Sequence, residues 1–404
     1  MVHMLSIRGG RPVRTKEWPR WPVYDERELK ALEEVVKSRY WGGGVGESGP
    51  WEKMFEERFA RRHGCRYGIC VSSGTAALHV ALLAAGVGPG DEVIVPAMTF
   101  WATGSAVLMT GATLVIVDVD PETYCMDVEA VEDSLTERSK AVIPVYNYGT
   151  SPDMDELSKL AEEHGLVVVE DCARAHGFAW RGRPAGSIGD MGCFSFQQGK
   201  FMTAGEGGII VTNSRLYAER CYAIKDCGRI RGLGYCEVGL DYWWNWYNYR
   251  MTQFQAAILL AQLERLDEQL ATRQANSEYL TKRLEEVEGI TPIKVDERLT
   301  SHQPWPYAFK YDPESFGGAP LERFVEALRA EGIPCGRPHP PLHLTLATRG
   351  PATRIKREAK YPVAEKAYFE EAVILPQYLF LGTREDMDDI ADAVAKIQRY
   401  SEEL

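Results

Sequence analysis

No apolar stretch of this 404-residue chain reaches the ~20 residues that a bilayer-spanning helix needs. Positive charge is also short: 46 Lys and Arg stand against 58 Asp and Glu, a formal net charge of -12. Such a surface repels phosphodiester backbones and anionic headgroups, which argues against nucleic-acid or membrane-surface binding as the main task. The opening MVHMLSIRGGRP lacks the apolar core of a secretory signal. The nine cysteines form no CxxC pair and are odd in number, which suits a reducing compartment better than a disulfide framework. What is plentiful is core material. Hydrophobic residues make up 45% of the chain, enough to exclude disorder and low-complexity scaffolds. The expectation is a cytoplasmic enzyme of about two to three domains, or one large domain with an appendage.

Residues 1–24 read as an extended arm, since Gly9, Gly10, Pro12, Pro19 and Pro22 interrupt any regular element. Trp18 and Trp21 imply that the arm lies on something. Helical spacing of apolar residues follows over 25–41 and 51–63. Short β-branched runs then alternate with helical patterns, at 67–71, 92–96, 113–119, 141–146, 167–171, 192–196 and 208–212. VIVP, LVIV and LVVVED are apolar on both faces, as strands buried in a mostly parallel sheet must be. Seven strands with crossover helices, one over 154–164 capped by Asp153, predict an α/β open sheet with helices on both faces. That large domain spans 25–250. A long helix from Met251 to about Val287 opens a smaller α+β domain over 251–404. Ligands of open sheets sit beyond the carboxyl ends of the strands, so those ends come next.

The first strand ends in Ser72-Ser73-Gly74-Thr75, a small-residue turn into a helix. Its exposed N–H groups could take a phosphate, although such turns also serve as plain caps. The second ends in Met98-Thr99-Phe100-Trp101, where an aromatic either plugs the core edge or stacks on a planar heterocycle. At 167–171 a buried run delivers Asp171, a carboxylate that needs a cation beside it. A salt bridge would satisfy it, and so would a protonated pyridine nitrogen. Lys200 follows another apolar strand and precedes the Gly-rich GEGG. It either snorkels from the sheet edge or, as a neutral amine, forms a Schiff base with a cofactor aldehyde. Lysine, aspartate, helix N-terminus and aromatic ring together fit pyridoxal 5′-phosphate.

These motifs resemble the sugar aminotransferases named for DegT, DnrJ, EryC and StrS, within fold-type I pyridoxal-phosphate enzymes. The blocks GDEVIVPAMTF, VVVEDCARAHG, FSFQQGKFMTAGEGGIIVTN and NYRMTQFQAAILLAQL occur in family order across nearly the whole chain. WPVYDERE, FQQGK and LPQYLFLGTREDMDDIADAVAKI are more similar to the branch of glutamine:scyllo-inosose aminotransferases and aminohydroxybenzoate synthases. The resemblance implies Lys200 as the Schiff-base lysine, Asp171 as partner of the pyridinium nitrogen, and Gly74, Thr75 and Ser195 on the phosphate. It implies that Phe100 stacks on the ring and that Asn248 reaches the neighbouring subunit's phosphate, making a homodimer. Arg174 stands where the family usually has Gln or His, near the cofactor's phenolic oxygen. Asn147 replaces a His before Tyr148-Gly149.

The reading is a ping-pong aminotransferase passing an amino group from glutamine or glutamate to a keto-sugar or keto-cyclitol. Its rivals are an aromatising synthase of the aminohydroxybenzoate type and a catalytically idle binding or regulatory protein on the same fold. The aromatic run 242–247 packs in a core or interface, or forms a platform for a sugar ring. His339 and His343 have no clustered acidic or cysteine ligands, so they are read as lining the substrate entrance or capping structure, without metal.

Overall fold

Asp25 starts the first helix with a capping box: its side chain accepts from Arg27 N, and the Glu28 side chain accepts from Asp25 N. The computed structural model describes residues 4–43, 46–229, 246–345, 354–357 and 360–404. Helices α1 (Glu26–Ser38) and α2 (Pro50–Arg62) precede strand β1 (Tyr67–Val71). The alternation then runs α3 (Gly74–Ala84), β2 (Glu92–Pro96), α4 (Trp101–Met109), β3 (Thr113–Val117), α5 (Val128–Ser134), β4 (Ser139–Val142), α6 (Met154–His164) and β5 (Val167–Asp171). Asp153 caps α6 as expected, accepting from Asp155 N and Glu156 N. The short pair β6 (Ala179–Trp180) and β7 (Arg183–Pro184) leads to β8 (Met191–Ser195), β9 (Gly208–Thr212) and α7 (Arg215–Lys225).

One long helix, α8 (Gln253–Leu284), follows, capped by Thr252. Beyond it lie β10 (Ile290–Pro292), β11 (Leu299–Ser301), β12 (Tyr307–Tyr311), α9 (Leu321–Ala330) and α10 (Leu342–Thr345). The chain closes with β13 (Ile355–Arg357), α11 (Pro362–Lys366), β14 (Ala372–Leu375) and α12 (Arg384–Arg399).

The large sheet has the order β1-β9-β8-β5-β4-β2-β3-β13. Only the junctions of β9 with β1 and β8 are antiparallel. The sheet therefore has eight strands, not the seven expected. β13 pairs parallel to β3 at the edge, from a three-residue segment too short to show a periodicity. Alternate residues of each central strand enter different cores: Val93 and Val95 one, Ile94 the other; Leu114 and Ile116 one, Val115 and Val117 the other. Both faces are thus covered, as apolar runs without polar alternation demanded. A third core packs β12, β14, α9 and α12 against the end of α8.

The N-terminal arm does lie on this third unit. Leu5 is buried in it, Trp18 Nε1 donates to Gly332 O at 2.9 Å, and Arg14 Nη1 bonds Asp386 at 2.7 Å. Trp21 Nε1 donates to Gln198 O at 2.7 Å, two residues from Lys200.

Candidate active site

The carboxyl ends of β1, β2, β5 and β8 open into one cavity of about 490 Å³. Gly74, Thr75, Phe100, Asp171, Arg174, Ser195 and Lys200 all line it. These residues are far apart in sequence and meet because parallel strands deliver their ends to one edge.

At the end of β1, Ser73 caps α3 by accepting from Ala76 N at 3.1 Å. The first N–H groups of this helix have no preceding carbonyl to bind and face the cavity with the positive end of the helix dipole. Gly74 is needed for a close approach: a Cβ there would lie 2.6 Å from Ser195 Cβ. The result is a small cradle between a helix N-terminus and a serine hydroxyl, suited to a phosphate.

Phe100 does not plug the core. It is 38% exposed, with its ring 4.4 Å from Trp101 and 5.1 Å from His339 between centroids. Asp171 is buried, and its direct hydrogen-bond partners are a hydroxyl and a backbone N–H. Oδ2 accepts from Thr103 Oγ1 at 2.8 Å and Oδ1 from Ala173 N at 3.1 Å; among the described residues no ion pair reaches it. Thr99 Oγ1 backs Thr103 at 2.9 Å. The simple salt-bridge reading of Asp171 therefore fails, leaving a fixed carboxylate facing a cavity.

Lys200 has its pKa pulled down to about 7, first by lost solvation and then by Arg174, against the pull of Asp171 and Glu206. Its Nζ sits 5.0 Å from the centre of the Trp305 ring, and the Arg174 guanidinium 5.5 Å. Arg174 Nη1 donates to Asn147 Oδ1, which also accepts from Tyr148 N at 3.1 Å. Arg174 and Asn147, from the loops after two neighbouring strands, are thus bonded to each other.

Asn248 is exposed, bridges back to Asp226, and is not among the residues lining this cavity. His339 lines the cavity, its pKa pushed to about 4 by burial and by the charges of Arg174 and Lys200. His343 does not line it: its Nε2 lies 2.9 Å from Glu365 Oε1 and its ring stacks on Tyr361. Of the aromatic run, Tyr242, Trp243, Trp244 and Asn245 lie outside the described residues. Trp246 is exposed and Tyr247 stacks on Tyr249 at 5.0 Å.

Sequence reasoning missed Trp305, Thr103 and Glu206, which line the same cavity. Thr99 precedes α4 and Thr103 lies in its first turn, where the two hydroxyls meet. Trp305 lies more than 100 residues beyond Lys200, between two prolines, and carried no local signal.

A parallel sheet covered on both faces, with a desolvated lysine and a fixed carboxylate at its carboxyl edge, is the architecture of a fold-type I transferase. The chain belongs to the DegT/DnrJ/EryC1/StrS aminotransferase family, whose pattern matches residues 22–395. It is 38% identical to the L-glutamine:scyllo-inosose aminotransferase of Streptomyces griseus, over 98% of each chain. Among solved structures, 3-amino-5-hydroxybenzoic acid synthase superposes with a TM-score of 0.85, at 32% identity over 96% of this chain and 100% of that one. A sugar aminotransferase of Streptococcus pneumoniae, Spr1654, solved in its PLP form, gives a TM-score of 0.81 at 27% identity over 96% and 100%. The chain is an aminotransferase, and its family implies pyridoxal 5′-phosphate as cofactor.

Proposed function

We propose that this aminotransferase passes the amino group of L-glutamine to a keto-cyclitol of the scyllo-inosose type. Pyridoxal 5′-phosphate would be held by Lys200, Asp171, Gly74, Thr75, Ser195 and Phe100. The observation that carries the reading is a desolvated lysine amine in one cavity with a fixed carboxylate and a glycine cradle. The full-length likeness to the Streptomyces griseus protein supports the substrate pair.

The residues fit the cofactor. The N-terminus of α3 with Ser195 suits a phosphate, and the exposed ring of Phe100 suits an aromatic face. Asp171 offers a charge, fixed by Thr103 and Ala173, that favours a protonated ring nitrogen. When bound, the cofactor supplies an aldehyde for the amino group and a ring that takes up the electron pair left when Cα loses its proton.

Lys200 moves that proton. With a pKa near 7 its Nζ exists as a neutral base and as an ammonium acid at working pH, so one group can take the proton and return it. Donor and acceptor then use the same cavity in turn, which gives ping-pong kinetics. Asn248, exposed and absent from the lining of its own cavity, would complete the site of a second copy, which makes the working unit a homodimer. Residues 25–250 bind the cofactor, 251–404 close the site, and the enzyme works in the cytoplasm.

A donor and acceptor screen read by mass spectrometry tests this. Glutamine with scyllo-inosose should give an amino-cyclitol and the 2-oxo acid of the donor. An aromatic, ultraviolet-absorbing product, or no transfer from glutamine, would overturn it.

A further inference from the structure

Arg273 of α8 is fully buried, yet its hydrogen bonds go only to neutral oxygens. Nε donates to Gln377 Oε1 at 2.8 Å and Nη1 to the Gln269 carbonyl at 3.1 Å. Nη2 has no partner among the described residues. No carboxylate among them offsets the charge, and lost solvation alone pulls the pKa down to about 9. A buried cation held in this way costs free energy and gives the fold little in return. What surrounds it is the backbone that carries Lys200.

On one flank the guanidinium stands 5.1 Å from the centre of the ring of Phe201, the residue after Lys200. On the other flank it acts through Gln377, which is also buried. Because Gln377 Oε1 accepts from Arg273, the amide is oriented with Nε2 toward the Gly199 carbonyl, to which it donates at 3.5 Å. That carbonyl belongs to the peptide unit joining Gly199 to Lys200. The arm closes the same grip from outside. Trp21 lays its ring 5.1 Å from the guanidinium, and its Nε1 donates to Gln198 O at 2.7 Å.

We infer that Arg273 is a positioning residue for Lys200: through Gln377 and the ring of Phe201 it fixes the backbone on either side of the lysine, so that the amine enters the cavity in one orientation. The inference rests on the reading of Lys200 as the amine that captures the cofactor. Arg273 is not among the residues lining the cavity, so it acts only through the chain. A glycine directly before the lysine leaves that backbone free to turn, and capture of an aldehyde needs the amine at one distance and angle. The buried charge is the means by which a distant helix holds that geometry.

Titration of the full chain with pyridoxal 5′-phosphate and with deoxypyridoxine 5′-phosphate, the same ring and phosphate without the aldehyde, separates the placing of the amine from the shape of the cavity. Arg273→Met, apolar and similar in length, should weaken binding of pyridoxal 5′-phosphate by about 10- to 100-fold. Binding of the deoxy analogue should not change. The cofactor-free variant should melt no lower than the wild type, since an unpaired buried charge gives way to packing atoms. Gln377→Leu should reproduce part of the loss, and the double variant should lose no more than Arg273→Met alone. Wild-type affinity for pyridoxal 5′-phosphate in Arg273→Met overturns the inference. So does a loss shared by the analogue, or a fall in melting temperature, either of which makes the arginine a support of the fold alone. If the wild type binds the two molecules equally, no amine captures the aldehyde, and the reading of Lys200 itself falls.

Discussion

A lysine keeps its proton on a protein surface because water solvates the ammonium better than a cavity wall does. Lys200 has lost that solvation and has the like charge of Arg174 near it, so its pKa stands at about 7. Below that pH the amine is protonated and cannot act as a base. The rate at which the cofactor-free protein captures pyridoxal 5′-phosphate, a step that needs the neutral amine, should therefore fall as pH drops through about 7. Arg174→Gln removes the like charge and should move this acid limb to higher pH; a limb that stays in place contradicts the account. Lys200 and Asp171 were legible in the sequence for one reason. Charged side chains at the ends of apolar strands are costly unless they have work to do. The bond from Arg174 to Asn147 was not legible, because it joins two strand ends that only the sheet brings together.

At the scale of elements, the strand-to-helix turn after β1 is where packing and chemistry meet. Gly74→Ala would place a methyl group 2.6 Å from Ser195 Cβ, so the helix must retreat from the serine. We expect a stability loss of about 1–3 kcal/mol by thermal or denaturant unfolding, together with weaker cofactor binding in a titration. Unchanged affinity would remove α3 from the phosphate cradle. The central strands could be read directly, because β2, β3 and β5 are apolar on both faces and end in small or polar residues. β13 could not. It is three residues long and owes its place to its parallel pairing with β3, a partner far away in sequence.

Over the whole molecule, buried titratable groups couple stability to pH. His63, His79 and His339 each have their pKa pushed to about 4 by burial, from an ordinary 6.5. Between those values the unfolded chain binds more protons than the folded one. Each histidine therefore adds stability that is fully present above pH 6.5 and lost as pH falls toward 4. The melting temperature should drop on going from pH 7 to pH 5, and His79→Gln should shrink that drop; an undiminished drop contradicts the assignment. Long-range closure was the least legible feature. The arm's tryptophans said that it lies on something, but not that Arg14 would meet Asp386 near the other end of the chain. Such contacts follow from the assembled topology and leave no periodic trace in sequence.

The central claim is that Lys200 is the amine that captures the cofactor. Borohydride reduction of the protein mixed with pyridoxal 5′-phosphate, followed by peptide mass spectrometry, tests it most directly. The account predicts the phosphopyridoxyl group on the peptide carrying Lys200, and its loss in Lys200→Ala. A label on another lysine, or none at all, would contradict it.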